Sequence, residues 1–207
     1  MPTDNFNPDG LNHAADKSVI ALLMVDVIND LEFDGGDKLL IHALPMAVSL
    51  AALKKRAKAA RIPAIYANDN FGRWQSDFRK LVQHCLTDNV RGKQIVANLV
   101  PEEDDYFVLK PKHSAFYQTA LDVLLKYLGV QTLILTGLAG DNCVLFSAND
   151  AYMRDFKIIV PSDCTASEDA EENHRVLKHM QRVLKATIMP SDAIKLPARG
   201  AGASANS

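Results

Sequence analysis

VIALLMVD, residues 19–26, holds seven consecutive apolar side chains and ends on a carboxylate. A run that short is a strand rather than a helix. Unbroken apolarity means burial on both faces, the condition of a parallel sheet covered by helices. The sequence beyond it alternates in the same way. Met46–Arg61 carries Met46, Leu50, Leu53 and Ala57 at helical spacing, and Ile62–Ala67 reads as a strand with Pro63 tolerated near its start. A helix is expected over Ser76–Leu86, then strands over Asp105–Lys110 and Thr132–Leu135 flanking a helix from Ser114 to Tyr127. Cys143–Arg154 reads as helix, Lys157–Val160 as strand, Ala170–Leu184 as helix and Ala186–Met189 as the sixth strand. This repetition predicts βαβ units and an α/β fold, a six-stranded parallel sheet with helices on both faces.

No composition shift divides the 207 residues, so one domain is expected over 18–196, after an N-terminal extension (1–17) and before a small, polar, disordered tail (197–207, PARGAGASANS). Hydrophobic residues make up 48% and charged residues 23%, which excludes wholesale disorder. The formal charge of −2 lacks the basic footprint of a nucleic-acid binder. The longest strongly apolar run is Val19–Val25, well short of the about 20 residues of a membrane span. The first eighteen residues contain no secretory apolar core. Cys85, Cys143 and Cys164 form no CxxC and no zinc spacing, so reduced thiols and a cytoplasmic setting are expected.

Parallel sheets bind ligands beyond the carboxyl ends of their strands. Three reactive groups fall there: Asp26 after the first strand, Lys110 at the end of the third, and Cys143 after the fourth. Singly, each has an ordinary structural use, as a cap, a solvated cation or a small apolar filler. Cys143 differs from the other thiols because the turn Thr136–Asn142 delivers it to a helix start, with Asp141 or Asn142 as the expected N-cap. Partial positive charge there favours thiolate, and Gly137 and Gly140 would let backbone N–H groups converge as an oxyanion hole. Cys85 and Cys164 read as packing residues.

The ordered segments LLMVDVIND (22–30), YANDNFGRWQSDF (66–78), VLKPKHSAF (108–116), LILTGLAGDNCV (133–144) and PSDCTAS (161–167) resemble the isochorismatase-like cysteine hydrolases over about residues 18–196. That resemblance implies a three-layer α/β/α fold with a six-stranded parallel sheet. It also implies a catalytic triad of Asp26, Lys110 and Cys143, with a thioester intermediate. The backbone N–H groups of Ala139 and Cys143 would hold the oxyanion, across a cis peptide between Leu138 and Ala139. Because Cys143 is present, C–N hydrolysis of a small amide, ureide or carbamate is expected ahead of vinyl-ether cleavage of the isochorismate type.

The chain departs from nicotinamidases, which bind a metal through an Asp-x-His pair and a further His. Asp69 is followed by Asn70 and Phe71, so no metal and no cofactor are expected. Phe71, Trp74, Phe116 and His113 are candidate substrate contacts, and the Asp34–Asp37 turn is a candidate flap. The expected partner is a small-molecule substrate, with no nucleic acid and no membrane, in a homodimer or larger homo-oligomer. Two other classes compete: a non-catalytic binding protein on this scaffold, and a phosphoacceptor receiver, disfavoured because Val25-Asp26-Val27 lacks paired acids.

Overall fold

The structure is a computed structural model that describes residues 17–69 and 77–197. The strands are β1 (Ile20–Val25), β2 (Ala64–Asp69), β3 (Tyr106–Lys110), β4 (Thr132–Leu138), β5 (Lys157–Pro161), β6 (Thr165–Ala166) and β7 (Thr187–Met189). The helices are α1 (Gly36–Ala59), α2 (Phe78–Thr87), α3 (Lys93–Asn98), α4 (Leu121–Leu128), α5 (Leu145–Tyr152) and α6 (Ala170–Val183). All strand pairings are parallel, in the order β3-β2-β1-β4-β5-β7, with the short β6 pairing the end of β4. The six expected strands are the six of the main path. β6 and α3 are additions that two- and six-residue segments without strong periodicity do not announce.

β1 sits at the centre and its two faces feed two separate cores. Leu22 and Met24 join Leu39, Met46, Leu50 and Leu53 of α1 and Ile95 and Val96 of α3. Leu23 and Val25 join Leu121 and Leu125 of α4, Ala148 of α5, and Val176 and Met180 of α6. The sequence order of the strands reverses direction between β1 and β4, the switch point at which open α/β sheets form a crevice.

The starts of two helices differ from expectation. α1 starts at Gly36 and runs through Pro45, which lies on its exposed side, while Leu39 and Ala43 continue the buried stripe of Met46 and Leu50. The Asp34–Asp37 turn is therefore the start of α1 rather than a flap: Gly35 is its N-cap at φ 87, and Gly36 is buried. Only glycine suits position 36, where a Cβ would collide with the Leu31 carbonyl. The helix expected from Ser114 is reduced to Leu121–Leu128. Ser114 and Thr119 hydroxyls accept from the Phe116 and Leu121 N–H groups, so local side-chain bonds replace the first helical turns.

α1 is long and apolar enough to cross a membrane by length and composition, but here its apolar stripe covers the sheet. The extension before Lys17, the tail after Pro197, and the loop carrying Asn70, Phe71 and Trp74 lie outside the described residues.

Candidate active site

Asp26, Lys110 and Cys143 come together at the carboxyl edge of the sheet, beside the β1/β4 switch point. Lys110 Nζ lies 2.8 Å from Asp26 Oδ2 and 3.4 Å from Cys143 Sγ. The same ammonium donates to the Lys112 carbonyl at 3.2 Å and lies 3.7 Å from Asp69 Oδ2. Asp26 Oδ1 accepts the Asp69 N–H at 2.7 Å. Asp26 and Lys110 are both buried, and Cys143 retains 8% exposure.

Local backbone features create this convergence. Asp26 leaves β1 in the left-handed region, φ 51, a conformation that Asp tolerates better than most residues. That turn takes its carboxylate out of the strand's alternation and toward Lys110. On the adjacent strand Gly137 has φ 117, and a Cβ there would overlap the Val25 carbonyl. The ends of β1 and β4 can approach closely only because that position is glycine. The expected cis bond is absent: every described peptide, Leu138–Ala139 included, is trans. Gly137 makes the turn instead, and Ala139 stays extended at φ −80, ψ 144.

Cys143 sits in a π-helical turn, Gly140–Val144, that runs into α5. Ala139 occupies the N-cap position without a side-chain cap, so neither Asp141 nor Asn142 caps it. The closing bond is made by the Val144 N–H to the Ala139 carbonyl at 3.2 Å. The turn is anchored from outside. Ser167 Oγ accepts the Asp141 N–H at 3.1 Å and lies 3.1 Å from Asn173 Oδ1. Ser147 Oγ donates to the Cys143 carbonyl at 2.7 Å and accepts the Ala115 N–H at 2.9 Å, tying the Cys143 turn to the segment after Lys110. Asn68 Nδ2 donates to the Ile28 carbonyl at 2.7 Å, fixing the chain just after Asp26. Ser147, Ser167, Asn173 and Asn68 were not legible as site residues, because single hydroxyls and amides carry no spacing signal.

Burial governs the protonation states. It raises the Asp26 carboxyl above the usual carboxylate value, and the Lys110 charge only partly opposes the rise. Lys110 ends above its ordinary value: burial would lower it, but the Asp26, Cys143 and Asp69 groups outweigh that. The Cys143 thiol is pushed up to about 12, first by burial and then by Asp26, against the opposing pull of Lys110. This reverses the expectation of a thiolate at a helix start. Cys85 and Cys164 are also pushed up to about 12 by burial, and both are fully buried.

His113 stands on the exposed rim, its Nδ1 3.8 Å from Cys143 Sγ and its ring 5.3 Å from that of Phe146. Phe116 is instead a core residue, buried in the same cluster as Cys143, with the Arg154 guanidinium 4.9 Å from its ring. It offers no surface to a ligand. Phe71 and Trp74 fall outside the described residues. Among the described residues, no group of three or more His, Cys, Asp or Glu side chains forms a potential metal site.

Comparison with known proteins follows the same lines. Residues 20–192 match the family model described as an isochorismatase domain. An uncharacterised isochorismatase family protein of Bacillus subtilis, YaaI, is 46% identical over 180 residues, spanning 87% of this chain and 97% of that protein. The ureidoacrylate amidohydrolase RutB of Methylorubrum extorquens is 41% identical over 83 residues, a match to 40% of this chain and 34% of RutB. Among solved structures, the N-carbamoylsarcosine amidase of Thermoplasma acidophilum superposes with a TM-score of 0.66 at 26% identity, covering 86% of this chain and 99% of that one.

Proposed function

The chain belongs to the isochorismatase family of hydrolases, and from that premise we propose that it cleaves a C–N bond in a small amide, ureide or carbamate through Cys143. The observation that carries this reading is the thiol held 3.4 Å from a buried ammonium that is itself paired to Asp26 at 2.8 Å. RutB and the N-carbamoylsarcosine amidase support the bond type, since their names place one on a ureide and the other on a carbamoyl compound.

In this mechanism Asp26 takes the thiol proton as Cys143 Sγ attacks the substrate carbonyl. A carboxylate whose pKa is raised by burial is better matched to that task than an ordinary one. Lys110 stabilises the charge that moves from carboxylate to sulfur without leaving its position between them. The Ala139 and Cys143 N–H groups receive the oxyanion. Asp26 then returns its proton to the departing nitrogen, and water resolves the thioester.

The test is a panel of small amides, ureides and carbamates assayed for ammonia or amine release with wild type, C143A, C85A and C164A. Release that is lost only in C143A supports the reading. Release that survives in C143A, or vinyl-ether cleavage without it, refutes it.

A further inference from the structure

We propose that His113 is a second catalytic residue, the base that activates the water which hydrolyses the Cys143 thioester; this rests on the thiol reading above. The juxtaposition is direct, with imidazole Nδ1 3.8 Å from Sγ. The two sides of the sulfur are differently equipped. Asp26 and Lys110 approach from the interior, where both are buried and paired at 2.8 Å. A water molecule reaching an acyl group on Sγ comes from the solvent side. His113 is exposed there, and imidazole is the side chain suited to carrying a proton near neutral pH.

The ring is held in place. Phe146, three residues after the nucleophile, lies against it at 5.3 Å and 43°. The preceding turn is pinned by the Lys110 ammonium donating to the Lys112 carbonyl at 3.2 Å. The same lysine thus orders the interior base and the segment that carries the exterior one.

The proton balance divides cleanly between the two. In acylation the S–C bond forms and the C–N bond breaks, and the thiol proton travels through Asp26 to the leaving nitrogen. In deacylation His113 takes a proton from water as the new C–O bond forms. The C–S bond then breaks, and the imidazolium returns its proton to the Cys143 thiolate. The enzyme is regenerated as thiol, neutral imidazole and the starting Asp26–Lys110 pair.

The test uses p-nitrophenyl acetate, which acylates a reactive thiol without requiring the natural substrate, and follows nitrophenolate release by stopped flow. With H113Q, a burst of about one equivalent is expected, followed by turnover roughly 100-fold slower than wild type, the low end for a general base. Intact-protein mass spectrometry should show acetyl-Cys143 accumulating in H113Q, and added hydroxylamine or imidazole should restore turnover. A wild-type turnover rate in H113Q overturns the proposal, as does equal loss of burst and turnover, which would make His113 a binding or acylation residue. H113N serves as the second variant if H113Q fails to fold. Absence of any Cys143-dependent acylation in wild type would instead defeat the thiol reading itself, and this proposal with it.

Discussion

Replacing Lys110 with methionine isolates the interaction on which the site is built. The side chain is wholly buried, and its ammonium lies 2.8 Å from Asp26 Oδ2 and 3.7 Å from Asp69 Oδ2. Methionine keeps most of the volume but leaves Asp26 as a buried carboxylate without the ammonium at 2.8 Å. Removing one partner of a buried pair costs about 3–5 kcal/mol. For a domain of this size each kcal/mol moves the melting temperature by about 2–4 °C, so K110M should melt roughly 6–20 °C below wild type near pH 7. The deficit has a definite pH signature. Asp26 already has a raised pKa in the fold, and without Lys110 the rise is larger. A carboxyl raised on folding binds more protons in the native state, so stability falls as pH rises from the ordinary carboxylate value through the folded one. Lys110 is also raised on folding, so the stability it contributes in wild type is fully present below the ordinary lysine value, the neutral range included, and is lost as pH rises through the folded one. The K110M deficit should therefore shrink on acidification, where Asp26 becomes neutral, and grow toward neutrality. Adding D26N should recover about 2 kcal/mol of coupling while leaving the enzyme inactive. Differential scanning calorimetry from pH 4.5 to 8 on wild type, K110M and D26N/K110M decides it. A K110M deficit independent of pH, or none at all, refutes the charge account.

The pH dependence of kcat/KM should show an acidic limb above the usual carboxylate range, because burial raises the Asp26 base; a limb at an ordinary carboxylate value would assign the base elsewhere. Dialysis against a strong chelator should leave activity unchanged, since the stretch Asp69-Asn70-Phe71 offers no imidazole after Asp69; loss reversed by zinc, iron or manganese would mean that Asp69 is a ligand.

The sheet was legible because its strands are buried on both faces and write that condition as unbroken apolar runs, β1 above all. The convergence of Asp26, Lys110 and Cys143 was legible for a related reason: each falls at or just beyond the carboxyl end of a strand, where a parallel sheet collects its ligands. Features that depend on three-dimensional crowding were not. That Gly137 must be glycine follows from the Val25 carbonyl pressing on its Cα, a contact between strands more than a hundred residues apart. The early start of α1 was hidden by Pro45, whose cost to the helix depends on which face it occupies. The misreading of the Cys143 thiol has the same origin. A helix start is visible in sequence, but the burial and the neighbouring carboxylate that outweigh it are properties of the folded site.

That reversal yields a prediction opposite to the behaviour of most catalytic-base variants. In the resting site burial first and Asp26 second push the Cys143 thiol up to about 12, against the opposing pull of Lys110. Asp26→Asn removes the like charge and leaves the lysine facing the sulfur at 3.4 Å. A like charge at this range shifts a pKa by about 1–3 units, so the thiolate fraction near pH 8 should rise about tenfold or more. D26N should therefore be inactive toward C–N substrates, having no proton acceptor, yet react with iodoacetamide about tenfold faster than wild type at Cys143. Cys85 and Cys164, fully buried, should stay unlabelled in both proteins, which excludes loosening of the fold as the cause. Lys110 is the source of the effect, so D26N/K110M should lose the acceleration. If D26N alkylated no faster than wild type, Asp26 would not govern the charge on sulfur, and its assignment as the acceptor of the thiol proton would fall with it.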